Sequence, residues 1–138
     1  MQRPFDPAVA GWELSEGSTF IELVGPIWRR RDGERVRHGL LVDAKHLNRA
    51  GTLHGGMLST FADFAMSSVA TRATGGKPQA TIELVTHFLD PVQKGEFVEA
   101  HCKALRATRA VAFVHAKMFV GRRAVASASG IWKILDQA

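Results

Sequence analysis

The chain has 138 residues, 46% hydrophobic and 22% charged, which is enough for one domain with one sizeable core and unlike a disordered composition. A single cysteine, Cys102, excludes an intrachain disulfide framework and fits a reducing cytoplasm. The formal charge of +5 favours anionic partners, but no zinc-finger spacing, helix-turn-helix signature or RNA-binding aromatic motif accompanies it, so nucleic acid is not an expected partner.

The opening "MQRPFDPAVAGWELSEG" carries no continuous apolar run of the signal-peptide kind. No stretch reaches the roughly 18–20 apolar residues of a membrane span, so a cytoplasmic chain without membrane attachment is expected. After this loose segment, Thr19 to Trp28 reads as a strand, with Phe20, Ile21, Leu23, Val24 and Ile27 apolar. Asp32-Gly33 in "RRRDGER" signals a hairpin, and Val36 to Ala44 returns as a second strand. The basic run "WRRRDGERVR" there is either a solvated hairpin end or a phosphate contact. His46 to Leu53 is irregular, with Asn48 and Gly51 supplying turn chemistry. A helix then spans roughly Gly55 to Thr74 and stops at Gly75-Gly76. Strand-like runs follow at Ala80 to Leu89, Glu96 to Ala107, Ala110 to Val120 and Val125 to Leu135. No repeat or linker divides residues 1–138, so the expectation is one α+β domain, β-β-α-β-β-β-β, its antiparallel sheet covering the helix.

That helix is apolar nearly all round: Met57, Leu58, Phe61, Ala62, Phe64, Ala65, Met66, Val69, Ala70 and Ala73 leave no wide polar face. One sheet covers one side, so a second copy of the chain is expected on the rest, approaching over Ala62, Ala65, Ser67 and Ser68. Asp63 sits in the middle of this run, where a carboxylate costs several kcal/mol unless bonded or protonated. At the helix start, His54-Gly55-Gly56 lets the chain turn sharply and leaves N–H groups at the positive end of the helix dipole, suited to a developing oxyanion. Asp63 lies eight residues beyond Gly55, about 12 Å along the axis, so the two cannot meet one carbonyl within a chain. Two antiparallel helices about a twofold axis could bring Gly55 of one copy to Asp63 of the other.

The stretch "NRAGTLHGGMLSTFADFA", with "TIELVTHFLDPVQKGE" after it, resembles the signature of hotdog-fold thioesterases, in particular the branch holding the phenylacetate-pathway thioesterase and mammalian thioesterase superfamily member 2. The likeness covers nearly the whole chain and is less specific for substrate than for family. It implies a sheet wrapped around a central helix, a dimer and often a tetramer. It also implies hydrolysis of acyl-CoA thioesters with no metal or organic cofactor. Position by position, Gly55 matches the glycine whose N–H polarises the thioester carbonyl. Asp63 matches the acid that activates water or attacks directly. Asn48 and His54 match residues that orient water and the thioester. Thr81 stands where relatives carry a water-placing serine.

Thr81 is in tension with strand alternation, because Ile82, Leu84, Thr86 and Phe88 form the more apolar face and Thr81 falls on the other. A bulge at the strand's start would resolve it. Substrate contacts are expected from Gly56, from Phe61 and Phe64 around the acyl group, and from Arg106, Arg109, Arg122 and Arg123 at the nucleotide phosphates. Phe61 and Phe64 read equally as core, and each arginine equally as solvated surface. His101-Cys102 cannot form a nucleophile–base pair, since adjacent strand residues point to opposite faces. The histidines show no close metal spacing. Two other functions share the fold: a hydratase or dehydratase, which needs a differently placed His with an acid, and a non-catalytic acyl-CoA-binding protein.

Overall fold

The structure, a computed structural model, describes residues 3–136. In chain order it runs β1 (Glu13–Leu14), α1 (Thr19–Val24), β2 (Trp28–Asp32), β3 (Arg35–Leu41), a 3-10 turn (Ala44–His46), α2 (Gly55–Ala73), β4 (Gln79–Phe88), β5 (Phe97–Ala107), β6 (Val111–Val120) and β7 (Arg123–Ile134). The strands form one antiparallel sheet ordered β1-β2-β3-β5-β6-β7-β4. β4 follows the helix but pairs with β7, so it lies at a free edge, with β1 at the other. The sheet wraps α2, which packs against β3 to β7. This is the hotdog fold, and the expected β-β-α-β-β-β-β order is present from β2 onward.

The core sits between α2 and the concave face of the sheet. Met57, Leu58, Phe61, Ala62, Ala65, Met66 and Ala70 of the helix are buried there against Val98, Ala100, Val114, Ala116, Ala126 and Trp132. Small residues on the strands let the helix lie close to the sheet.

Two expectations are corrected. Thr19 to Trp28 is not one strand, because Thr19–Val24 forms α1 and β2 begins only at Trp28. The run's apolar positions fit both periods, and Pro26 has no N–H for a ladder. The end of α1 is held from far along the chain, His46 Nε2 donating to the Val24 carbonyl across 2.5 Å and Lys45 Nζ to that of Leu23 across 3.4 Å. The second correction concerns the helix. Ala62 and Ala65 lie fully buried against the chain's own sheet, so they offer no surface to a second copy. The less buried face carries Thr60, Asp63, Phe64, Ser67 and Thr71 and is mostly polar. Exposed apolar surface gathers instead on β4, at Ile82, Val85 and Phe88. No helix among the described residues is long and apolar enough to cross a membrane.

Candidate active site

The loop before α2 is built by Asn48. Its Oδ1 accepts from the Ala50 and Thr52 amides at 3.0 and 3.1 Å, and its Nδ2 donates to Thr52 Oγ1 at 3.1 Å. These bonds fold the loop and leave one Nδ2 hydrogen for a ligand. The loop is anchored below by buried His46, whose Nδ1 accepts from the Asp43 amide at 2.9 Å and whose carbonyl accepts the His54 N–H at 2.8 Å. His46 does not stand out in the sequence. Its readable signal is the three-residue spacing from Asp43, a capping box in which each side chain accepts from the other's backbone.

His54 is the N-cap of α2, and its Nδ1 accepts the Gly56 N–H at 2.8 Å. An imidazole that accepts through Nδ1 keeps Nε2 as its donor. A Cβ at position 56 would stand 3.0 Å from His54 Nδ1, so any other residue there would push the ring of this cap by a few tenths of an ångström. The Gly56 amide is therefore occupied, against the expectation that both glycine amides are free. Gly55 differs: among the described residues its N–H meets no acceptor, and the residue lines a cavity of about 380 Å³ with Asn48, Leu58, Phe88 and Asp90. Phe88, which strand periodicity places on an apolar face but not at a site, is a further residue here; its ring would lie 3.3 Å from a Cβ on Gly55.

Asp63 lies two turns further on, on the outer face of α2 and half-buried rather than fully desolvated. Its Oδ1 accepts the Thr81 hydroxyl at 2.7 Å. The pairing of β4 with β7 shifts register between Thr81 and Glu83. The extra residue turns Thr81 towards the helix and leaves Ile82 57% exposed. Ser59 and Thr86 meet one turn nearer the helix start, at 3.2 Å. Hydroxyls thus line the seam between α2 and β4.

One chain therefore holds two separate clusters, Asn48 with Gly55 at the cavity and Asp63 with Thr81 at the sheet edge. Asp63 does not line the cavity. The remaining candidates divide. Phe61 is fully buried core and reaches no ligand surface. Phe64 is half-buried, its ring meeting that of His38 edge-on at 5.2 Å. Arg106 and Arg109 sit where β5 turns into β6, near the Thr81 end of the sheet, while Arg122 and Arg123 sit at the β6–β7 turn near the cavity. The length of β6, roughly 30 Å, separates the two groups within a chain. Arg123 is already committed: it holds Asp90 at 2.7 Å and Glu96 at 2.6 Å, and donates to the Pro91 carbonyl at 2.8 Å. It braces the cavity wall and has no free charge for a phosphate.

The pattern described as the thioesterase superfamily matches residues 50–127. A Pseudomonas aeruginosa protein with a provisional esterase name is 34% identical over 123 residues, spanning 88% of this chain and 92% of its own. Mouse acyl-coenzyme A thioesterase 13 is 30% identical over 81 residues, 58% of this chain and 57% of that protein. Among solved structures, a variant of the phenylacetic acid degradation protein PaaI of Thermus thermophilus superposes with a TM-score of 0.74 at 25% identity, covering 86% of this chain and 100% of its own.

Proposed function

The chain belongs to the thioesterase superfamily, and we propose that it hydrolyses an acyl-CoA to free acid and CoA at a site shared by two copies. The observation that carries this reading is the 2.7 Å bond from Thr81 to Asp63, on the one face of α2 that the chain's own sheet leaves open. The carboxylate is oriented by a hydroxyl and stands within reach of a ligand.

Pairing two copies through their free β4 edges buries Ile82 and Val85 and sets the two α2 helices antiparallel. Gly55 of one copy then approaches Asp63 of the other. Arg122 of the first lies at the same end as Arg106 and Arg109 of the second, which collects three arginines for the nucleotide phosphates. The Asn48–Gly55 cavity, walled by Leu53, Leu58 and Phe88, receives the acyl part.

In the reaction the Gly55 N–H donates to the thioester oxygen as negative charge develops on it. Asp63 takes a proton from a water that attacks the carbonyl carbon, or attacks that carbon itself to form an anhydride that water hydrolyses once the thiolate has left. The tetrahedral intermediate collapses, the C–S bond breaks, and the CoA thiolate leaves and is protonated. Thr81 fixes the carboxylate, and the remaining Asn48 Nδ2 hydrogen can hold the water. The name of the mouse relative supports CoA as the carrier. No metal or organic cofactor enters this scheme.

The test is free-thiol release across aromatic and aliphatic acyl-CoA classes, with the molecular mass measured by light scattering. Turnover by a dimer or tetramer supports the reading. Hydration of an enoyl-CoA without thiol release would favour a hydratase. Binding without turnover of any class would favour an acyl-CoA-binding protein.

A further inference from the structure

The sheet opens between β3 and β5. These strands pair only from His38 to Leu41 against Phe97 to Ala100. Beyond that point Arg35–Arg37 stay with β2, and Cys102–Ala104 stay with β6. The parted strands and the last turn of α2 enclose a cleft of about 640 Å³, a size that suits a small organic ligand. Because the cleft lies between strands, residues of both alternating faces border it.

Val36, Val69, Cys102 and Ala104 give it an apolar lining. Burial pushes the Cys102 thiol up to about 12, so the floor carries no thiolate at neutral pH. Four cations border the same cleft: Arg35, Arg37, Arg72 and Lys103. Opposing them are Glu34 on the rim and Asp32, which lies 3.6 Å from Arg37. His101, also on the rim, pairs with Glu99 at 3.4 Å. Among the described residues Arg35 and Lys103 form no ion pair, and Arg72 donates to the backbone carbonyl of Glu34. The cleft thus has an apolar floor and more positive than negative charge around it.

We infer that this cleft binds an organic phosphate, its phosphate held by Arg35, Arg72 and Lys103 and its apolar or aromatic body laid on Val69, Cys102 and Ala104. A phosphomonoester carries about −1.5 to −2 charges near neutral pH, which matches the surplus better than a single carboxylate would. Guanidinium forks also fit phosphate oxygens in pairs. The site is distinct from the proposed catalytic one: Arg72 lies nine residues after Asp63, which at 3.6 residues per turn places it on the opposite side of α2. It gives part of the basic run at the β2–β3 hairpin a role that hydrolysis does not use, and it stands whether or not the protein is a thioesterase.

Calorimetric titration of the full protein tests it with three probes: inorganic phosphate, decyl phosphate and adenosine 3′,5′-bisphosphate. At least one organic phosphate should bind about tenfold or more tightly than inorganic phosphate, through its apolar contacts. The stronger of the two identifies an alkyl or a nucleotide body. The Arg35→Gln, Lys103→Gln double variant, altered only at exposed positions, should weaken that binding about tenfold or more, as removed charge-assisted bonds do. Ala104→Phe, which fills the cleft, should abolish it, while Asp63→Asn should leave it unchanged; organic-phosphate binding that survives Ala104→Phe and weakens in Arg122→Gln belongs to the acyl-CoA site and overturns the inference. The inference is overturned if neither organic phosphate exceeds inorganic phosphate, or if a folded double variant binds as well as the unaltered protein.

Discussion

The Thr81 hydroxyl stands 2.7 Å from Asp63 Oδ1 because β4 breaks register between Thr81 and Glu83. A regular strand would turn this hydroxyl away from the helix and put Ile82 in its place. Thr81→Val keeps the shape and removes the donor, so kcat for acyl-CoA should fall about tenfold, less than the roughly 10²–10³ of a donor that touches the reacting oxygen, because Thr81 acts through Asp63. KM should hardly move, and Thr81→Ser should restore the rate. Equal kcat for Thr81→Val and the unaltered protein would remove Thr81 from the mechanism.

His54 caps α2 through the Gly56 amide, and a Cβ at position 56 would crowd its ring at 3.0 Å. His54→Ala should lower stability by about 1 kcal/mol, the usual cost of a lost N-cap. Thermal unfolding should show a drop of a few degrees, with Asn at this position recovering most of it. If His54 instead served mainly to orient substrate, His54→Asn would keep the melting temperature and lose activity. The two measurements together separate the roles.

Much of this could be read from the sequence, and the failures have physical causes. The long helix, its glycine stop and the four strands after it follow from strong periodicity and turn residues. Gly55 and Asp63 stand out because an acid and two glycines are costly or unusual where they lie, whereas Asn48 reads locally only as a turn residue and reaches the candidate list through the family resemblance. α1 escapes a local reading because "TFIELV" fits both periods, and what caps its last carbonyls is His46, 22 residues downstream from Val24. The burial of Ala62 and Ala65 by the chain's own sheet depends on how far seven strands curl, which no local pattern reports. Arg122 and Arg123 are neighbours in sequence, yet only Arg123 meets Asp90 and Glu96, contacts made by chain reversals.

That difference is testable. Arg122→Gln should raise KM for acyl-CoA with kcat little changed, the mark of binding shared by ground and transition states. Arg123→Gln should lower the melting temperature instead, by releasing Asp90, Glu96 and the Pro91 carbonyl. Matching effects from the two variants would show that Arg123 also serves the ligand.

His38 gives the fold an acid sensitivity. Burial between β3 and Phe64, with the Arg29 charge nearby, lowers its pKa from 6.5 to about 4. The unfolded chain then binds the proton more readily than the folded one between these values. Stability should therefore be intact above pH 6.5 and fall as the pH drops towards 4, by roughly 3 kcal/mol over the window. Urea unfolding at a series of pH values measures this. His38→Gln should flatten the curve across that range, and an unchanged slope would assign the loss to other groups.

The strongest test of the shared site uses two inactive proteins. Asp63→Asn keeps size and hydrogen bonding but removes the charge, and kcat should drop on the order of 10²-fold or more, the scale of general-base removal. Gly55→Pro removes the N–H that the mechanism assigns to the oxyanion. Gly55 is the first residue of α2, where proline is favoured, and His54 at φ −63 and ψ 133 already has the extended backbone a following proline requires. The Phe88 ring, 3.3 Å from the added Cβ, must shift slightly. Loss of this donor should also cost about 10²–10³ in kcat. Each variant alone has no intact site. Unfolded together in equal amounts and refolded, they should form mixed dimers in which one site takes Gly55 from the first chain and Asp63 from the second, while the other carries both lesions. Random pairing makes half of the dimers mixed, so roughly a quarter of full activity should return. A well-folded mixture that stays inactive would place Gly55 and Asp63 at the same site within one chain, or neither at any.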